Sequence, residues 1–257
     1  MPINDDIIHY IDTEWINIDE RMDLPDYYEE NGIKVPRVTK VIGSVNTSVN
    51  GLLSWANSLG FKRISYKNYM NKVSTMGTAI HTAVEGYIKD KKAPEISPLA
   101  IDEVKDGIMN AYIGFKSFWD TYNSLHKVDK VLLEHRIITP YFGGTADLIV
   151  REKDGTTTLY DFKSSNHLKY NHFVQIAAYK YGLECFTNPP MRIDKIGILL
   201  LNKYQPDCQE YILDLSVDIN RQYIDDCIRC FISMLYAYYN TCQVENDFNN
   251  ILFPRRQ

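Results

Sequence analysis

No stretch of the sequence is apolar for long enough to cross a bilayer. No basic segment followed by an apolar run stands behind Met1, so no secretory leader is readable and a cytoplasmic location, with no membrane partner, is expected. Cysteine is scarce: five residues, none before Cys185, which fits a reducing compartment better than a disulfide framework. Cys208, Cys227, Cys230 and Cys242 could supply four ligands to a cluster, but Cys227 and Cys230 fall within an amphipathic helix pattern where buried apolar cysteine is the plainer reading, so an iron–sulfur cluster is not expected. The His-Glu-x-x-His signature of zinc proteases is missing as well.

Positive charge is also short, at a formal net of -5, yet the deficit is local. Residues 1–30 hold ten acids and one base, Arg21. Taking them from the totals of 28 bases and 33 acids leaves 27 bases and 23 acids, so the rest of the chain is positive and compatible with a basic groove for nucleic acid. Residues 1–35 are read as an acidic arm or hairpin and 36–257 as one domain. The arm reads as a solvated segment, or as one that competes with DNA for the groove.

Hydrophobic periodicity predicts the elements. Ile7–Ile18 alternates like a strand or hairpin, Gly32–Pro36 reads as a loop, and Thr39–Ile42 as a short β-prone run. Helices are expected over Asn50–Leu59, Lys72–Lys89, Leu99–His126, 171–184 and Asn220–Asn240, with a linker at Lys91–Pro98. The stripe Val104, Ile108, Tyr112, Phe115 and Phe118 or Trp119 is expected in the core. Val128–Thr139, Ile193–Lys203 and Gln209–Leu215 read as strands. This order suggests a central mixed β-sheet flanked by helices, with a helical N-terminal part.

The chemistry concentrates in Gly143-Gly144-Thr145-Ala146-Asp147-Leu148-Ile149-Val150 and Leu159-Tyr160-Asp161-Phe162-Lys163. Residues two apart on a strand share a face, so Asp161 and Lys163 do, with Phe162 turned to packing. Loop length decides whether Asp147 joins them. A two-residue loop would set Asp147 opposite Phe162, whereas a three-residue loop at Lys153-Asp154-Gly155 sets it opposite Asp161. That loop class ends on a left-handed residue, and Gly155 is in place for it. Ile149 and Leu159 are expected on the acid-bearing face, and Leu148, Val150 and Phe162 on the other. Two close carboxylates call for a cation, and this oxygen-rich set suits Mg²⁺ or Mn²⁺, which would polarise a phosphate and activate a water, with Lys163 beside it.

Other pairs fall one helical turn apart: His81 with Glu85, where Glu85 could orient the ring of a metal-binding His81, and Gln175 with Tyr179, which could hold Lys163 or a phosphate. Lys62, Arg63, Lys67 and Lys72, interleaved with Tyr66 and Tyr69, are candidates for single-strand contacts, and Lys169, His172 and Arg255-Arg256 are further ones.

The ordered set Gly77-x-x-x-His81-x-x-x-Glu85, Gly144-x-x-Asp147, Asp161-Phe162-Lys163 and Gln175-x-x-x-Tyr179 resembles the RecB-like branch of the PD-(D/E)XK nuclease superfamily. Val35–Ile42 and Leu53-Ser54-Trp55 are similar to the opening region of phage exonucleases and of the mitochondrial genome maintenance exonuclease group. The resemblance implies a restriction-endonuclease-like α/β core and Mg²⁺- or Mn²⁺-dependent cleavage of DNA, single-stranded or at its ends. It implies His81, Asp147, Asp161 and Lys163 as the catalytic set, with His81, Asp147, Asp161 and Phe162 at the metal and Glu85, Glu134, Gln175 and Tyr179 in support. A single-strand-preferring exonuclease of phage or mobile-element origin, acting beside replication or recombination proteins, is the leading reading. An endonuclease or a recombination or CRISPR-adaptation-type trimming nuclease is the alternative within the chemistry, and a DNA-binding or virion component with little turnover the alternative outside it. Aspartate at 161 departs from the commoner glutamate, and Ser164 from the commoner threonine.

Overall fold

A computed structural model describes residues 27–30, 32–45, 49–97 and 100–252. Ile7–Ile18 and Arg255-Arg256 lie outside them. The chain opens with β1 (Tyr27–Glu30) and β2 (Ile33–Pro36), paired as an antiparallel hairpin. Helices follow: α1 (Val38–Val45), α2 (Val49–Phe61), α3 (Tyr66–Asp90) and α4 (Asp102–Leu125). Next come β3 (Val128–Ile138), β4 (Gly143–Glu152), β5 (Thr157–Lys163), α5 (Tyr170–Cys185), β6 (Lys195–Leu201), β7 (Cys208–Asp214) and α6 (Asp218–Leu252).

Strands β3 to β7 form one sheet in chain order. Every pairing is antiparallel except β5–β6, which is parallel because α5 carries the chain back between them. The result is a mixed α/β fold with a five-stranded central sheet flanked by helices.

Side-chain alternation sorts the core into two layers. Leu148, Val150, Tyr160, Phe162, Leu199 and Leu201 pack against α3 and α4, where Ile108, Phe115 and Trp119 supply the expected stripe. Burying a side chain such as Leu148 or Phe162 contributes about 1.5–3 kcal/mol. Ile149, Leu159, Ile196 and Ile198 face α5, which α6 covers in turn. Sandwiched in this way, α5 is buried nearly all round, from His172 to Leu183. Its buried Lys180 pairs with Glu184 one turn on.

Two expectations near the N-terminus fail. Thr39–Ile42 belongs to helix α1, because Val38, Val41 and Ile42 bury one helical face against the α5–α6 layer. Gly32–Pro36 is not a loop: Ile33–Pro36 is a strand, turned back on Tyr27–Glu30 after Gly32, whose φ is 80°. Helix α6 also runs well past the expected Asn240. Among the described residues no helix is long and apolar enough to cross a membrane.

Candidate metal centre

The β4–β5 loop has the predicted three residues. Gly155 N–H donates to the Glu152 carbonyl at 2.9 Å, Glu152 N–H to the Thr156 carbonyl at 2.9 Å, and Gly155 takes φ 91°. The ladder runs Arg151–Thr157, Val150–Thr158, Ile149–Leu159 and Leu148–Tyr160. One more step in the same register would set Asp147 across from Asp161.

The ladder stops there, and so does simple alternation. Ala146 packs in the α5 layer and Leu148 in the α3–α4 layer, although they are two apart. On β3, Ile137 is in the α5 layer, Leu132 packs against that layer, and Leu133 packs against the other. The break falls at Asp147 on one strand and at Glu134 on its neighbour. Those two are skipped in a register that pairs Leu133 with Leu148 and His135 with Ala146. Glu134 has φ 47°, a left-handed conformation that costs a non-glycine residue on the order of 1–3 kcal/mol.

The single acid-bearing face is therefore corrected: the site spans both layers. Asp147 Oδ2 accepts the Phe162 N–H at 2.6 Å, taking the donor that the interrupted ladder leaves over. Its Oδ1 lies 3.7 Å from His81 Nδ1 on α3. Helix α3 meets the end of β5 at Gly77, where an added Cβ would lie 3.4 Å from Ser164 Oγ, and one turn later His81 sets its ring edge-on to Phe162. Ligand atoms of His81, Glu134 and Asp147 fall within 4.8 Å of one another. Glu134, named from its strand position, is thus drawn to the centre. Glu85 does not orient His81: it accepts from Lys89 at 3.1 Å, and its charge acts on Glu134. The His81 ring instead packs against the Phe162 ring, 5.7 Å between centroids.

Asp161 lies in the second half of the site. Its Oδ1 accepts from Gln175 Nε2 at 3.1 Å. Lys163 Nζ stands 2.6 Å from Oδ2, yet off the line a hydrogen bond requires, so this buried oxygen has no hydrogen-bond donor. Lys163 donates instead to Gln175 Oε1 at 3.0 Å, and Gln175 Nε2 also donates to the Tyr179 hydroxyl at 3.0 Å. Gly144 makes room for that tyrosine: a Cβ there would sit 2.3 Å from Tyr179 Cε1.

Burial dominates the titrations. It holds Asp147 well above the usual carboxylate range, and the neighbouring charge of Asp161 adds to the effect. Burial lowers His81, leaving a neutral imidazole able to bind a metal. Glu134 is raised by burial and then by Glu85. His172 is lowered to about 4 by burial and then by Lys163.

The other expected residues are more dispersed. Tyr66 and Tyr69 set their ring edges against Trp55, at 5.6 and 5.4 Å, which ties α2 to α3. Lys72 is engaged by Glu103. Lys62, Arg63 and Lys67 are exposed around the α2–α3 turn. His172 is buried and accepts the Lys169 N–H at 3.3 Å, so it caps α5 rather than reaching for DNA. Cys208 packs in the α3–α4 layer, and Cys227, Cys230 and Cys242 in the α5–α6 layer across the sheet.

Sequence reading missed the contact of Tyr28 with Thr145 beside the site. Tyr28 covers Gly143, where an added Cβ would lie 2.7 Å from its ring, and its hydroxyl shares a 2.8 Å hydrogen bond with Thr145 Oγ1. The paired glycines before Asp147 were the available signal, because each faces a tyrosine.

No protein-family model matches the chain, and no curated protein matches it. Among solved structures, the crystal structure of SSO0001 aligns at 15% identity over 60% of this chain and 73% of that one. Its TM-score of 0.27 is too low to carry an argument about fold or function.

Proposed function

We propose that this chain is a metal-dependent DNA nuclease with a PD-(D/E)XK-type core, hydrolysing phosphodiesters and preferring single strands with ends. The observation that carries the reading is Asp161 Oδ2: buried, beside an ammonium, lacking a hydrogen-bond donor, and set against a second buried acid. Two buried carboxylates share one ammonium, and that arrangement is unfavourable unless a further cation completes it. The donor set fits Mg²⁺ or Mn²⁺, with Asp147, Asp161, Glu134 and the neutral His81 as the residues that would hold it.

When bound, the ion supplies Lewis-acid polarisation of the phosphate. The chain's own groups do the rest. Gln175 fixes Asp161 and Lys163 at once through its two amide atoms. Lys163 is thereby presented as a donor to the attacking water and to charge building on the phosphate. Tyr179 pins Gln175, and burial keeps its phenol protonated, so it remains a donor. The exposed Lys62, Arg63 and Lys67 with Tyr66 support a path for a flexible strand.

The test uses linear single- and double-stranded DNA labelled at either end, and closed circles, with Mg²⁺ or Mn²⁺. Wild type should shorten linear single strands and Lys163→Ala should not. Equal activity in the two proteins would remove the assignment, and cleavage of circles would replace exonuclease with endonuclease.

A further inference from the structure

Helix α2 is held to the rest of the molecule by little. Its Trp55 ring meets Tyr66 and Tyr69 of α3 edge-on, and Leu59 is its one buried side chain among the described residues. A helix of 13 residues draws its stability from packing rather than propensity, so an apolar face left uncovered calls for a partner. Helix α2 leaves such a face: Leu53 is 61% exposed, and Phe61, in its last turn, 84%. Ile64 follows in the turn, and Tyr66 and Met70 stand one helical turn apart at the start of α3, all exposed. Phe61 has no ring partner among the described residues, whereas both tyrosines are engaged by Trp55.

The charge around this face has one sign. No aspartate or glutamate occurs from residue 31 to residue 84, in a chain that holds 33 of them. Lys62, Arg63 and Lys67 follow Phe61, are exposed, and among the described residues take part in no ion pair. Arg63 closes α2 in the left-handed conformation, φ 55°, its N–H donating to the Gly60 carbonyl and the Ile64 N–H to the Leu59 carbonyl, both at 2.9 Å. Glycine is the usual residue there, so the arginine stands at a cost in backbone strain. The two bonds close the last turn, so Phe61 projects from a fixed backbone. A flat apolar ring among cations suits a ligand that is flat and apolar in parts and negative throughout. Single-stranded nucleic acid, with open base faces and a phosphate at every step, is such a ligand. A duplex hides its base faces, and an apolar protein surface makes no use of the cations.

We infer that Phe61 is a base-stacking platform for single-stranded DNA, with Lys62, Arg63 and Lys67 on the flanking phosphates. This rests on the nuclease reading for what becomes of the strand, not for its binding. Tyr66 opens α3 and His81 comes fifteen residues later on the same helix, about 22 Å at the rise of an α-helix. The platform is therefore remote from the cleaved bond, and Phe61 is a positioning residue. A strand must be several nucleotides long to lie on Phe61 and reach Asp147 and Asp161 together, and shorter strands lose what the platform contributes.

Binding is read by fluorescence anisotropy on the full chain in Ca²⁺, with a labelled oligothymidylate, the same strand carrying abasic sites, and a blunt duplex. Phe61→Ala should weaken binding of the oligothymidylate roughly 10-fold or more, as expected for one stacked base, and leave the slope of affinity against salt unchanged. Phe61→Trp should restore binding and Phe61→Leu should not, since stacking needs a planar ring. Arg63→Gln should weaken normal and abasic strands alike and lower the salt slope by about one phosphate contact. Thermal melting of the Phe61 variants should stay near wild type, because the side chain is exposed. Binding of the oligothymidylate by Phe61→Ala within twofold of wild type, an equal loss on the abasic strand, tighter binding of the duplex, or no binding by wild type overturns the platform. Self-association of wild type that Phe61→Ala abolishes, with DNA binding unaltered, would assign the face to a second copy of this chain and overturn it as well. Binding that depends on Phe61 in a protein that cuts nothing leaves the platform standing and removes the nuclease reading. Cleavage of linear strands with no loss of binding in Phe61→Ala removes the platform alone.

Discussion

At the closed end of the β4–β5 hairpin each residue follows its local preference. Gly155 takes the left-handed conformation, Asp154 accepts the Thr156 N–H at 2.9 Å, and the strands leave in register. At the open end the same two strands hold buried acids, a broken ladder and, on the neighbouring strand, Glu134 in a left-handed conformation. The closed end is built to stabilise the fold. The open end is costly to fold and is where chemistry can occur, since strain and unpaired charge persist only where the surroundings impose them. Substitutions at the two ends should therefore have opposite profiles.

The largest contrast is expected from Asp161→Asn and Lys163→Ala. Each should lower cleavage by on the order of 10³-fold, in line with losing a charge-stabilising group. Asp161→Asn should melt no lower than wild type without metal, because it relieves repulsion with Asp147. A large fall in melting temperature would mean that the acids hold the fold together, and the contrast between the ends would collapse.

Gly144→Ala comes next. The new methyl would force Tyr179 aside, costing about 1–3 kcal/mol by overpacking and loosening Gln175 and Lys163. Steady-state kinetics should show kcat falling while metal-free melting drops by several degrees. Retained kcat would detach Tyr179 from the chemistry.

His172 sharpens the comparison through pH. Its folded value of about 4 lies below the ordinary 6.5, so the unfolded chain binds the extra proton between those values. Stability from the neutral ring is present above pH 6.5 and is lost as pH falls towards 4, by up to about 3 kcal/mol. Urea melts of His172→Gln should show a flatter acid limb than wild type; parallel limbs would assign the loss to other groups.

Gly155→Ala should have the smallest effect. At φ 91° alanine is strained, costing about 1 kcal/mol, with cleavage unchanged. Altered cleavage would show that the closed end communicates with the open one.

This division also governs what the sequence reveals. The loop, the β4–β5 register up to Leu148 and Tyr160, the core stripe on α4 and the pairing of Gln175 with Tyr179 follow from short-range rules, and the structure has them. Strand parity failed at Asp147, because parity assumes an unbroken ladder and the break depends on Glu134, thirteen residues away on another strand. Thr39–Ile42 misled for a similar reason: β-branched residues favour strands locally, but their burial against α5 and α6 selects a helix. The Tyr28–Thr145 contact joins residues 117 apart, and no spacing rule reaches that far.

The 2.6 Å bond from the Phe162 N–H to Asp147 makes one backbone proton answerable to one carboxylate. That amide can exchange with deuterium only when Asp147 lets go, whereas its neighbours in β5 are held by ladder bonds. Its exchange rate is therefore a clock for the opening of the site. Divalent ion or substrate that engages Asp147 would change the rate at this position ahead of the rest of the sheet.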